Sequence, residues 1–252
     1  MSISQSRLIR GAATPLIYLV LLLAWELVAR LLKIPAWILP APSAIFEAAV
    51  KWAPELAQNG WVTLRETVLG FLLALVLSLP LATLISLNPL ARKLLYPFLL
   101  GLQSVPKVAV APLIILWLGL SEWPKIVVVM LVCFFPILVN MIAGIEAVPK
   151  TMLDLMNSLQ ASPRLIFVRL RIPVALPHLF TGCKVAVTFA VIGAVISEFV
   201  AAQDGLGYLI LVSTAQSQTP LAFAAIGLLT ILSIAVFYCV EFIERRVVDW
   251  TP

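Results

Sequence analysis

Long apolar runs dominate the chain, and polar positions fall in short groups between them. A helix needs about 20 mainly apolar residues to cross a bilayer. Six runs meet that need: residues 12–32, 62–87, 94–119, 124–147, 176–200 and 218–243. The pattern predicts an all-α integral membrane protein with six transmembrane helices. The first run follows Arg7 and Arg10. It is too long for a signal peptide, and no small-x-small cleavage site follows LLLAWELVARLL, so it is expected to remain as a span. After it comes IPAWILPAPSAIFEAAVKWAPELAQNG. There Ser43 can cap a short amphipathic helix carrying Ile45, Phe46, Ala49 and Trp52, lying at the outer interface. A plain surface linker is the alternative. The chain thus divides into residues 1–61 (first span and interfacial segment), a core of five spans over 62–245, and a tail, 246–252.

The polar interruption at VPKTMLDLMNSLQASPRLIFVRLRIPVALP, within a loop set at residues 149–175, is the most informative. Thr151 stands three residues before Asp154, a variant capping box that opens a helix. Met152, Leu155, Met156 and Leu159 follow at i, i+3, i+4 and i+7, one apolar stripe, with Asp154, Asn157 and Ser158 on the other face. Ser162 and Pro163 read as N-cap and first residue of a second helix through Leu165, Ile166, Phe167 and Leu170, ending near Pro173. Two readings fit: a helix pinned on anionic headgroups by Arg164, Arg169 and Arg171, or a methionine-containing ridge that enters a soluble partner's groove.

Composition excludes a soluble fold: 62% of the 252 residues are hydrophobic and 12% charged, against about 25% charged in soluble domains. The net charge of +5 matters through its placement and does not point to nucleic acid. Ten basic residues (Arg7, Arg10, Arg92, Lys93, Lys150, Arg164, Arg169, Arg171, Arg245 and Arg246) fall on one side, and five (Arg30, Lys33, Lys51, Arg65 and Lys125) on the other. The positive-inside rule then puts both termini in the cytoplasm. Cys133, Cys183 and Cys239 lie in apolar runs without metal-ligand spacing and read as buried small hydrophobes. Pro80, Pro97, Pro106, Pro112 and Pro136 sit inside runs, as suits kinked helices around a pathway.

Polar groups inside spans are costly and become functional candidates. Lys107, in GLQSVPKVAVAPL beside Gln103 and Ser104, can face an anionic solute, snorkel, or pair with Glu198 at the outer end of span five. Asn140, Thr188 and Ser197 either line a path or bond their own helices. Gly205 and Gly207 in QDGLGYLI permit a tight turn, either a plain hairpin or a gate. His178, at the start of span five, reads as interfacial or as a proton relay. No Gly-x-x-x-x-Gly-Lys phosphate loop, nucleophile, carboxylate pair or metal constellation marks an enzyme.

The loop also resembles the Glu-Ala-Ala motif of permease subunits of binding-protein-dependent ABC importers. Asp154, Leu155 and Met156 stand at the Glu-Ala-Ala positions, Gln160 at the glycine, and Leu170, Ile172 and Pro173 at Ile-x-Leu-Pro. SLQAS, Ser158 to Ser162 through Leu159 and Ala161, is similar to the family's SLGAS. PLIILWLGLSEWPKIVVV, FFPILVNMIAGIEAVP and SEFVAAQDGLGYLI resemble the nitrate, sulfonate and taurine branch, so that matching stretches cover roughly residues 40 to 245. The resemblance implies a type I importer permease fold in a bacterial inner membrane. It also implies a second permease copy, preferably an identical chain, two cytoplasmic ATPases and a periplasmic binding protein. ATP and Mg would be held by the ATPases and no cofactor by this chain. Met152 to Arg164, with Ile172 and Pro173, would form the coupling loop, Gly205 and Gly207 an outer gate, and Lys107 would favour a small anionic solute. Gln160 is expected to deny the turn the flexibility of glycine. The rival, an ion-gradient-driven secondary transporter, predicts inverted repeats and coupled carboxylates. No repeat is visible, and Glu198 is the acidic residue read inside a span ahead of the sixth span's end.

Overall fold

The computed structural model describes the backbone of residues 3–201 and 203–250 and the side chains of residues 16–200 and 203–250. Among these, all regular structure is helical: α1 (Ile3–Leu31), α2 (Pro42–Lys51), α3 (Ala53–Leu87), α4 (Pro89–Gln103), α5 (Lys107–Leu118), α6 (Glu122–Glu146), α7 (Lys150–Ser158), α8 (Pro163–Ile166), a π-helical segment (Phe167–Arg171), α9 (Ile172–Ala201), α10 (Leu206–Ala215) and α11 (Thr219–Val247). Four are long and apolar enough to cross a membrane: α3, α6, the continuous rod Pro163–Val200, and α11. The bent pair α4–α5 makes a fifth if it counts as one span. The remaining expected span, 12–32, falls in α1, and its residues 12–15 lie outside the described side chains.

The run at 94–119 is sharply bent, in keeping with the prolines inside it. Its helices meet at 96°. Pro106 has no N–H to continue α4, and the residue before a proline is biased out of the helical region. Span five differs in the opposite sense. The helix opened by Ser162 does not end near Pro173 but runs on as one rod into α9. The π turn makes this possible. Ile172 donates to the carbonyl of Phe167, five residues back, and that wider turn absorbs the missing N–H and the ring of Pro173.

Contacts divide the chain into two compact units, 1–58 with 209–228 and 59–208 with 229–252. In the first, Glu26 on α1 accepts from the Ser43 amide at 3.0 Å and its hydroxyl at 2.8 Å, fixing the start of α2. Ser43 is thus the second residue of that helix, whose N-cap is Ala41.

The second unit is built on α6 packed antiparallel to α9, with α3 alongside. Gly144 lies on Ala175, Gly182 on Pro136 and Asn140, and Gly193 on Val129. Gly182, Ala186, Ala190 and Ala194 repeat every four residues, and the three alanines are wholly buried. Small residues at this spacing let helix backbones approach where lipid gives no hydrophobic drive between helices. Cys133 and Cys183 fill this core as expected, whereas Cys239 is exposed on α11.

Candidate functional site

The segment expected to couple begins as α7. Pro149 precedes it as N-cap, with no side-chain cap, so Thr151 lies inside the helix and the Thr151–Asp154 capping box does not form. A proline before the first turn needs no such device, since its fixed φ starts a helix and the first N–H groups lack intrahelical partners in any case. The apolar ridge is present and bare: Met152 is 48% exposed, Leu155 59% and Leu159 69%, while Met156 is half-buried. Asp154 and Ser158 are exposed on the remaining surface, and the Ser158 hydroxyl donates to the Leu155 carbonyl.

The helix ends in a Schellman turn. The Ala161 amide donates to Met156 O at 3.0 Å and the Gln160 amide to Asn157 O at 2.9 Å. This geometry needs a left-handed residue, usually glycine, at the position Gln160 holds, and Gln160 adopts it with φ of 51°. Gln160 thus makes the left-handed turn that glycine usually makes, at a cost in strain. Ser162 then caps α8 by accepting from the Leu165 amide, with Arg164 exposed in the first turn. Ile172 and Pro173 lie half-buried at the far side of the π turn.

The pathway candidates do not converge. Lys107 is the first residue of α5, at the elbow of the bent pair. Its ammonium donates to the Gln103 carbonyl at the open end of α4 and sits 5.1 Å from the Phe135 ring centroid. A cation at a helix C-terminus satisfies the orphan carbonyls and the dipole together. It does not pair with Glu198, whose contacts lie elsewhere. Ser104, Asn140, Thr188 and Ser197 each donate to a carbonyl of their own helix. His178 is exposed, with its Cβ over Gly144.

Glu198 is 1% exposed, far deeper than its place near a span end suggests. It accepts from the Thr63 hydroxyl at 2.6 Å and the Gly207 amide at 2.5 Å. Thr63 in turn accepts from the Leu206 amide, and Asn59 accepts from the Gly205 amide. Gly205 has φ of 104°, and a Cβ on it would overlap the Glu198 carboxylate. Both glycines are thus required by close approach, and the turn is more than a loose hairpin.

Beside this cradle lies a group that reading by spans passed over. Glu66, inside α3 and fully buried, pairs with Lys125 at 2.6 Å, and Lys125 also reaches Asp204 at 2.9 Å. Glu198 is therefore not the lone acidic residue within the spans. Lys125, counted as a loop charge, is itself buried in the first turn of α6. Arg65 and Arg92, also counted as loop charges, pair with Glu122 and Glu146. An ion pair within helices costs far less than a lone charge. The available signal was the appearance of Glu66 in the run 62–87 and of Lys125 in the run 124–147.

Residues 67–249 match the family described as "Binding-protein-dependent transport system inner membrane component". The chain belongs to this family. It is the membrane-embedded permease component of such a transport system, a multi-pass membrane protein rather than an ion-gradient-driven transporter. A probable ABC transporter permease protein of Haemophilus influenzae is 36% identical, over 90% of this chain and 93% of that one. The formylaminopyrimidine transport permease protein ThiX of Halalkalibacterium halodurans is 34% identical, over 93% and 94%. Among solved structures, a chain of the MetNI methionine ABC transporter in an inward-facing conformation superposes with a TM-score of 0.64 at 18% identity. The match covers 79% of this permease and 97% of that chain, and the shared feature is the type I importer fold.

Proposed function

We propose that this permease forms the solute path of an ATP-driven importer in a bacterial inner membrane, with both termini cytoplasmic. A second copy of the chain completes the path, two ATPase subunits hold ATP and Mg, and an external binding protein delivers a small solute. The chain itself needs no cofactor. The observation that carries this reading is the bare ridge of Met152, Leu155 and Leu159. It stands on a short helix closed at both ends, where the family motif lies. Apolar side chains at helical spacing outside a bilayer favour a groove in a soluble partner. The adjoining Arg164 is free to reach anionic headgroups or the same partner. Seated in an ATPase, the ridge passes ATP-driven closure to the spans as rigid-body movement, giving alternating access. The Lys107 charge at the elbow favours an anionic solute, and Gln103, Ser104, Asn140, Thr188 and Glu198 shape the spans around the path. Gly205 and Gly207 serve the outer gate.

The test is a mild-detergent pull-down of the chain from its native membranes, beside Leu155→Glu/Leu159→Glu. An ATPase subunit is expected with the parent and absent from the double variant. No ATPase in either sample, or binding that survives two charges on the ridge, overturns the reading.

A further inference from the structure

Four consecutive residues beyond α9 are each held by one polar contact. Asp204 pairs with Lys125 of α6 at 2.9 Å. The Gly205 amide donates to Asn59 Oδ1 at 2.8 Å and the Leu206 amide to Thr63 Oγ1 at 2.8 Å, both on α3. The Gly207 amide donates to Glu198 of α9 at 2.5 Å. The contacts are not alike. Gly205, Leu206 and Gly207 are buried, as are Thr63 and Glu198. The Asp204 side chain is 55% exposed, and its partner Lys125, only 8% exposed, has Glu66 as a second, fully buried partner.

That asymmetry decides which contact can break. Parting Lys125 from Glu66 strands a buried carboxylate that has no second ion-pair partner among the described residues, which is heavily disfavoured. Parting Lys125 from Asp204 moves an already half-hydrated carboxylate into water and leaves Lys125 neutralised by Glu66. Lys125 thus has one permanent and one releasable partner, and both face a polar cleft that Arg65 and Glu122 also line. Gly205, at φ of 104°, lies next to the releasable end and can take up a large backbone change.

We infer that Asp204 and Lys125 form a releasable ionic latch on this loop: its Asp204 end swings away from α6 as the permease gates its path, while Lys125 stays with Glu66. The inference rests on the reading of Gly205 and Gly207 as the outer gate. Asp204 and Lys125 are positioning residues, since they act through the loop.

The test uses the full chain in nanodiscs with the exposed thiol removed by Cys239→Ser. Spin labels at Leu120→Cys and Gln203→Cys, both exposed and flanking the cleft, report one distance by pulsed EPR. A single narrow distribution is expected. Asp204→Asn shifts a large share of it to longer distances, and Asp204→Glu restores it. Raising the salt to about 1 M, where the Debye length falls to about 3 Å, weakens the attraction that recaptures a parted Asp204, so it broadens the parent distribution and leaves that of Asp204→Asn unchanged. A distribution in Asp204→Asn matching the parent overturns the latch, as does a failure of Asp204→Glu to restore it. Co-purification of an ATPase subunit, followed in the same variants, keeps the two ideas apart. ATPase binding with unmoved labels overturns the latch alone, whereas an ATPase that never binds overturns the importer reading.

Discussion

Gln160 carries the clearest strain at the scale of single residues. It shares its role with Lys33 and Ser217, all three at positive φ and all three closing a helix through the same pair of backbone bonds. A left-handed conformation costs a non-glycine residue about 1–2 kcal/mol, so none of these turns is signalled by glycine, and the sequence pattern leaves them unread. Gln160→Gly removes that strain but enlarges the entropy of the unfolded chain, offsetting part of the gain. The expected net effect is stabilisation of up to about 1 kcal/mol. Gln160→Val, β-branched and intolerant of this region, is expected to lose about 1–3 kcal/mol. Thermal unfolding in detergent, followed by tryptophan fluorescence, separates the two, and a Val variant as stable as the parent would contradict the strained turn. Burial is the other lesson at this scale. Glu66, Lys125 and Glu198 look like misplaced charges in hydropathy alone, and only packing reveals that Lys125 and Thr63 answer them.

Among the elements, what was legible and what was not follows from how local each cause is. The α7 stripe and the Ser162–Pro163 start of α8 are set by neighbours within one turn, and both stand where the sequence puts them. A kink at the in-run prolines was legible, but the size of the 96° elbow and the π turn were not, because a proline in an apolar run can break a helix or be absorbed by one. Pro106 does the first, and Pro173 the second. The seam between α6 and α9 was written in the chain as small residues four apart, a period that hydropathy averages away. A Cβ at Gly182 would lie 2.8 Å from Asn140 Cβ and 2.9 Å from the Pro136 carbonyl, while one at Gly101 meets nothing within 4 Å. Gly182→Val is therefore expected to cost at least about 1–3 kcal/mol through overpacking. Gly101→Ala, in the last turn of α4, should gain up to about 0.5 kcal/mol from helix propensity. Their thermal midpoints must move in opposite directions, and a shift of the same sign in both would show that the seam does not depend on close approach.

Across the whole molecule, one rod joins the two sites. Pro163–Val200 is a continuous helix of 38 residues, about 57 Å long at 1.5 Å per residue. It starts immediately after the coupling turn at Gln160 to Ser162, and it carries Glu198 at its other end against Thr63 and Gly207. Because α6 is packed along this rod through glycine and alanine contacts, a tilt imposed at α7 under the proposed function would reach the glycine cradle as movement of a stiff body rather than be lost in bending. The two ends should then be separable by mutation. Gly205→Ala places a methyl where the Glu198 carboxylate lies, at a φ of 104°. The resulting strain of about 1–3 kcal/mol is equivalent to a factor of roughly 5 to 150 in the balance between gate states. Since the ridge of Met152, Leu155 and Leu159 is untouched, this variant is expected to retain its ATPase subunit while solute uptake into proteoliposomes falls by at least roughly fivefold. Leu155→Glu/Leu159→Glu should lose the subunit and the uptake together. If Gly205→Ala also loses the ATPase, the glycine cradle supports the fold as a whole and has no separate part in gating. If its uptake is unchanged, the cradle does not limit passage, and the rod carries the motion to some other constriction.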